Sequence, residues 1–149
     1  MPNGLGIEPL KSRKFHQKQS RYEHLPETSF RWIWLGPGGA GKSEAVRAML
    51  LNHYRGAFHF IAIWSPTLFL DAGWKPVLEY MEKEMGQKID DPKHPCLFED
   101  FKGEDLDRIV ADQMSIIKKM KNQKGGSSFL PSILLIADDV ADMPEVVRK

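Results

Sequence analysis

The stretch FRWIWLGPGGAGKSEAVRAML, Phe30 to Leu50, passes from bulky apolar residues through four glycines in six positions to a lysine, a serine and a helical pattern. From Phe30 to Leu35 both alternating sets are apolar apart from Arg31, with Trp32 and Trp34 on one side and Ile33 and Leu35 on the other. That pattern predicts a strand covered on both faces, the habit of parallel sheets. Past the glycines, Val46, Met49, Leu50 and His53 repeat at helical spacing, and Gly56 predicts the stop.

Between strand and helix lies GPGGAGKS, Gly36 to Ser43, which fits G-x-x-x-x-G-K-[ST] without a gap. A phosphate chain is wrapped by backbone N–H groups, so Gly36, Gly38, Gly39 and Gly41 supply the tight backbone that side chains would obstruct. Pro37 and Ala40 occupy the variable positions. The helix starting near Lys42 adds its free N–H groups and about half a positive charge. In this reading Lys42 reaches the β and γ phosphates, and the Ser43 hydroxyl ligates a Mg²⁺ that bridges them.

Downstream, SILLIADD reads as a buried strand that runs into Asp138 and Asp139. The C-terminal end of a strand is where open α/β sheets bind ligands. A magnesium-bound triphosphate needs one carboxylate for the metal and another to activate the attacking water. Asp138 is assigned to the metal and Asp139 to the water; a register slip of one would exchange the names and leave the chemistry intact.

The rest of the chain supplies the layers. AFHFIAIW predicts a second buried strand ended by Ser65 and Pro66. A helix is expected over Lys75 to Met85, with Pro76 in its first turn, and CLFEDF reads as a short edge strand. Leu106, Ile109, Val110, Met114, Ile117 and Met120 form a helical stripe whose acidic start and Lys118, Lys119 and Lys121 suit the helix dipole. The order of elements predicts an α/β sheet, mostly parallel, in the three-layer P-loop arrangement. Residues 1–28 lack a period and read as a flexible basic arm, either a solvated leader or a contact for phosphate backbones.

Composition narrows the partners. The chain has 149 residues, is 42% hydrophobic and carries 21 basic against 20 acidic residues, so its bulk charge singles out neither nucleic acid nor membrane. The longest apolar run, AFHFIAIWSPTLFL, is too short for a bilayer of about 30 Å, and no membrane partner is expected. A single cysteine, Cys96, reads as a small apolar filler and argues for a reducing, intracellular setting, cytoplasmic or virus-associated. No Asn-Lys-x-Asp element reads a guanine base, and no arginine-rich lid marks a small-molecule kinase. Among nucleotide chemistries, ATP hydrolysis is therefore preferred over the kinase alternative.

The glycine loop, FIAIWSPTLFLDAGW with Ser65, Pro66, Thr67, Asp71 and Trp74, and LLIADDV together resemble the genome-packaging ATPases of poxviruses and giant viruses, within the HerA/FtsK-like group of P-loop motors. The resemblance covers about Phe30 to Val140. It implies a Mg²⁺-dependent ATPase that works as a homo-oligomeric ring on double-stranded DNA. It also implies that residues 29–149 are the N-terminal part of such a domain, truncated after the acidic strand, because family members continue with a further strand, a polar sensor residue and an arginine. The alternative expectation is a truncated nucleotide-binding module without turnover.

Overall fold

The structure is a computed structural model and describes residues 14–123 and 125–141. It is an α/β fold built on one parallel sheet. The central strand β1, Phe60–Trp64, is flanked by β2, Leu97–Phe98, and β3, Ile133–Ala137, in the order β2-β1-β3. In register, Phe60 lies opposite Ile133 and Trp64 opposite Ala137, while Ile63 lies opposite Leu97.

The composition of β1 explains its position. Ile61, Ala62, Ile63 and Trp64 are at most 1% exposed, which an unbroken apolar run allows only with cover on both faces. Leu50, Trp74, Val77 and Met81 share its buried core, and Trp64 stacks on its cross-strand neighbour Phe98 at 4.9 Å between ring centroids. Where β2 is too short to reach, the Gln87 side chain continues the ladder. Its Oε1 accepts from Ile61 N–H at 3.0 Å and its Nε2 donates to Ile61 C=O at 2.8 Å, so no buried strand polar group there is left unpaired.

Among the described residues there are three α-helices. α1, Lys42–Ala48, passes directly into a π-helical turn over Met49–His53, closed by the Tyr54 N–H on Met49 C=O at 2.9 Å. Gly56 follows with φ 79°, as expected of a helix stop. α2, Lys75–Lys83, carries Pro76 in its first turn and buries Val77, Tyr80 and Met81. α3, Gly103–Asn122, has Glu104 and Asp105 in its first turn and Lys119 and Lys121 in its last, yet of its apolar stripe only Ile109 is buried. Cys96 is buried, and that burial raises its thiol above the ordinary range, as befits a packing residue.

The expected strand at Phe30–Leu35 does not form. Among the described residues the segment has no backbone partner, and Ile33 and Leu35 are 85% and 90% exposed. Apolar alternation signals a strand only where a neighbour completes the ladder, and here the nearest strand, β3, stands at a distance across a groove. Of the basic arm, residues 1–13 lie outside the described residues. From Lys14 onward it follows the body: His16 exchanges backbone bonds with Ser128 and Leu130 at 2.8 Å each, Tyr54 Oη donates to Pro26 C=O at 2.7 Å, and Thr28 is buried.

At the foot of the sheet, His59 N–H donates to Ser132 C=O at 2.8 Å and its Nδ1 accepts from Ser132 N–H at 3.3 Å. Desolvation, and then the charge of Lys18, hold the imidazole below its ordinary value of 6.5. Protonation is thus easier in the unfolded chain. The histidine's contribution is complete above pH 6.5 and is lost as pH falls through the lower folded value. Urea melts at pH 7.5 and 5.5 should show a larger loss of stability for the parent than for His59→Asn; equal losses would assign the pH dependence elsewhere.

Candidate functional site

The glycine loop leads into α1 as its spacing requires. Gly39 and Gly41 adopt φ of 74° and 79°, and a Cβ at either would touch nothing within 4 Å. It is therefore the left-handed backbone, not lack of room, that calls for glycine at these two positions. Gly36 differs: a Cβ there would lie 3.3 Å from the Cβ of Ala40. The loop is closed by an Ala40 N–H bond to Pro37 C=O at 3.2 Å, and Gly41 caps the helix, its C=O accepting from Ala45 N–H at 2.9 Å.

Lys42 curls back over this loop. Its ammonium donates to Gly36 C=O at 2.9 Å and to Pro37 C=O at 3.0 Å. One residue on, the Ser43 hydroxyl lies 2.8 and 2.9 Å from the two carboxylate oxygens of Asp138, 95 positions away in sequence. Asp138 is itself placed by the sheet, because its N–H donates to Trp64 C=O at 2.8 Å and extends the β1–β3 ladder by one step. The loop, the start of α1 and the end of β3 therefore converge.

Asp139 does not join them. It takes a left-handed φ of 51° and is exposed, so the two adjacent carboxylates diverge: Asp138 faces the loop and Asp139 faces solvent. Its carboxylate makes no hydrogen bond or ion pair among the described residues. Nor do the described residues contain a cluster of three or more His, Cys, Asp or Glu able to hold a metal by themselves. The hard oxygens of Ser43 and Asp138 suit Mg²⁺, an ion that characteristically takes one or two protein ligands and completes its shell with phosphate and water.

The structure adds a residue that the sequence reading passed over. Arg47, on α1 one turn beyond Ser43, buries its guanidinium. It bonds Asp71 Oδ2 at 2.5 Å and Glu44 Oε2 at 3.0 Å, and lies over the Trp74 ring at 5.3 Å. The Arg47 hydrogen bond, then the Gly73 N–H that donates to Oδ1 at 2.8 Å, hold the Asp71 carboxyl below the usual carboxylate range. Ser65, Thr67, Asp71 and Trp74 thus form one turn-rich connection at the C-terminal end of β1, bolted to α1 through Arg47. Glu44 at i−3 from Arg47 was the visible half of this signal; Asp71, 24 residues on, becomes a partner only through the fold.

Comparison with family models, with curated proteins and with solved structures finds no match. No helix among the described residues is long and apolar enough to cross a membrane.

A Cβ at Gly73 would lie 2.5 Å from the Arg47 guanidinium, which its two carboxylates prevent from moving aside. Gly73→Ala should therefore destabilise the fold by about 1–3 kcal/mol. In an Arg47→Ala background the same change should cost far less, as a double-mutant cycle of urea midpoints will read. Additive losses would rule out the contact.

Proposed function

We propose that the chain binds ATP with Mg²⁺ through the loop Gly36–Ser43 and hydrolyses it, with the three-layer architecture of a P-loop NTPase. The observation that carries this reading is the 2.8 Å approach of the Ser43 hydroxyl to Asp138. It supports the reading because two hard oxygen donors from distant parts of the chain meet beside a glycine loop with the backbone dihedrals of a phosphate cradle.

The backbone N–H groups of Gly38 to Ser43 bind the phosphate oxygens, assisted by the dipole of α1 and its π-helical continuation. Lys42 exchanges its two loop carbonyls for the β and γ phosphates, a substitution of charged for neutral acceptors that favours the bound state. Ser43 and Asp138 would hold Mg²⁺, which when bound neutralises charge on the β and γ phosphates. Asp139, turned to solvent beside them, orients the attacking water and accepts its proton as the γ-phosphoryl group leaves. Arg47, through Asp71 and Trp74, keeps α1 in register with the end of β1.

The resemblance of the motifs extends the proposal to a homo-oligomeric ring acting on double-stranded DNA. A second reading, nucleotide binding without turnover, is favoured by the unpaired segment that leads into the loop, since catalysis needs groups held to within fractions of an ångström.

Calorimetry with MgATP and MgGTP tests the site and its base preference together. Lys42→Ala should weaken MgATP binding by at least about tenfold, the loss expected for one charge-assisted phosphate contact; unchanged binding would sink the loop assignment. Asp139→Asn should retain binding and lower turnover by about a hundredfold or more, as for a lost general base. Turnover equal to the parent, with or without duplex DNA, would remove Asp139 from the mechanism, and no turnover by the parent would leave the binding module.

A further inference from the structure

Two stretches of the chain carry cations without acids. Residues 14–22 hold Lys14, Lys18 and Arg21, and residues 113–137 hold Lys118, Lys119, Lys121 and Lys124, with no aspartate or glutamate in either. Seven of the 21 basic residues thus stand in segments free of all 20 acidic ones, a segregation that the net charge of +1 conceals.

The fold brings the two stretches together at the end of the sheet opposite the glycine loop: residues 128–132 lead into β3, whereas Asp138, which meets Ser43, leaves it. His16 pairs with Phe129 in a parallel bridge, its N–H donating to Ser128 C=O and its C=O accepting from Leu130 N–H. α3 joins them. Gln113 Nε2 donates to Pro131 C=O at 2.6 Å, and Lys121 Nζ lies 5.4 Å from the centre of the Phe15 ring. Lys118, three residues before Lys121, neighbours it on the helix surface. Exposed Lys14, His16 and Lys18 alternate with half-buried Phe15 and Gln17, so one outward row presents two cations and an imidazole. Beside the imidazole stands the Phe129 ring, 6.0 Å between centroids and 53% exposed.

Arg47, Arg55, Lys83 and Arg108 each pair with a carboxylate, whereas Lys14, Lys18, Lys118, Lys119 and Lys121 make no ion pair among the described residues. Of the residues lining the hollow that adjoins His16, Glu27 is the one acid. Like charges gathered without counter-charges repel one another, and a polyanion relieves that repulsion while releasing its own counterions.

We propose that this surface binds single-stranded nucleic acid, with Lys14, Lys18, Lys118 and Lys121 on the phosphates and an unpaired base stacked on the Phe129 ring beside His16. Several cations with no acid between them fit a repeating anion better than one small acid. An exposed ring among those cations adds stacking, which every unpaired base offers and a duplex withholds. An anionic membrane would also attract the lysines, but within residues 14–18 and 127–131 Phe129 is the sole exposed large apolar side chain, too little area for an interfacial anchor. The surface is independent of the glycine loop and of the duplex DNA named in the proposed function, and neither is needed for it to act.

Fluorescence anisotropy of labelled oligothymidylate and oligouridylate of about twenty nucleotides, longer than one small domain covers, tests this on the 149-residue protein without ATP. Either strand should bind, and more tightly than a duplex of the same length. The logarithm of the affinity should fall against that of salt with a slope of about −3, from about −0.7 for each of four phosphates. Lys118→Gln together with Lys121→Gln should flatten the slope by about 1.4. Phe129→Ala should weaken binding about fivefold or more and keep the slope. Equal binding of the duplex, or no loss in Phe129→Ala, would overturn the single-strand assignment, and a slope untouched by the paired lysine change would move the contact off this surface. Binding to phosphatidylserine vesicles but to neither oligonucleotide would overturn the proposal in favour of a membrane surface.

Discussion

The burial of both faces and both edges of a single strand, Phe60–Trp64, is the constraint on which the remaining architecture depends. Five apolar residues in a row can be removed from water only if every backbone N–H and C=O among them is paired and each face is covered. β2 and β3 provide the pairing, the Gln87 amide fills the gap that β2 leaves, and Leu50, Trp74 and Met81 belong to the core that buries the strand. The candidate site inherits its geometry from this arrangement. Trp64 C=O receives the Asp138 N–H, so the acidic pair starts at a height set by the end of β1.

A second fixed point, the buried Arg47, ties the glycine loop to the same frame. Removing a guanidinium from water is costly, and such pairs often contribute little net stability. Here Asp71, Glu44 and the Trp74 ring surround one cation, so its consequence is geometric. α1 cannot slide relative to the connection that follows β1 without exposing or unpairing that charge. Ser43 and Asp138 therefore meet on two elements that are each anchored to β1, one through the ladder and one through Arg47.

The approach to the loop contrasts with this rigidity. Residues 30–35 hold large apolar side chains but have no ladder among the described residues, and local stability follows backbone bonding and burial. The glycine loop is joined to a bonded helix at one end and to an unpaired segment at the other, so Ser43 is held by the fold more firmly than Gly36. Lys42, bonded to the carbonyls of Gly36 and Pro37, is the chain's own tether across that difference.

Local pattern alone determined much of this protein. The glycine spacing of 36–43, the apolar runs at 57–64 and 132–137, the proline-started helix at 75 and the charge-graded helix over 103–122 are properties of neighbouring residues, and each element formed near its expected bounds. The pairing of Ser43 with Asp138 was foreseeable as shared chemistry, since both are hard oxygen donors and both were expected at one cation, but not as a distance. The strand at 30–35 was misjudged because alternation reports which faces a strand would bury and not whether a neighbour exists to pair with it. Arg47 escaped notice because a helical arginine reads as a solvated charge until the fold brings Asp71 and Trp74 against it. Which residues are candidates for phosphate chemistry was thus written in short-range pattern. Which of them meet, which expected strand stays unformed and which charge is buried were decided by long-range packing, where free energy depends on contacts between residues far apart in the chain.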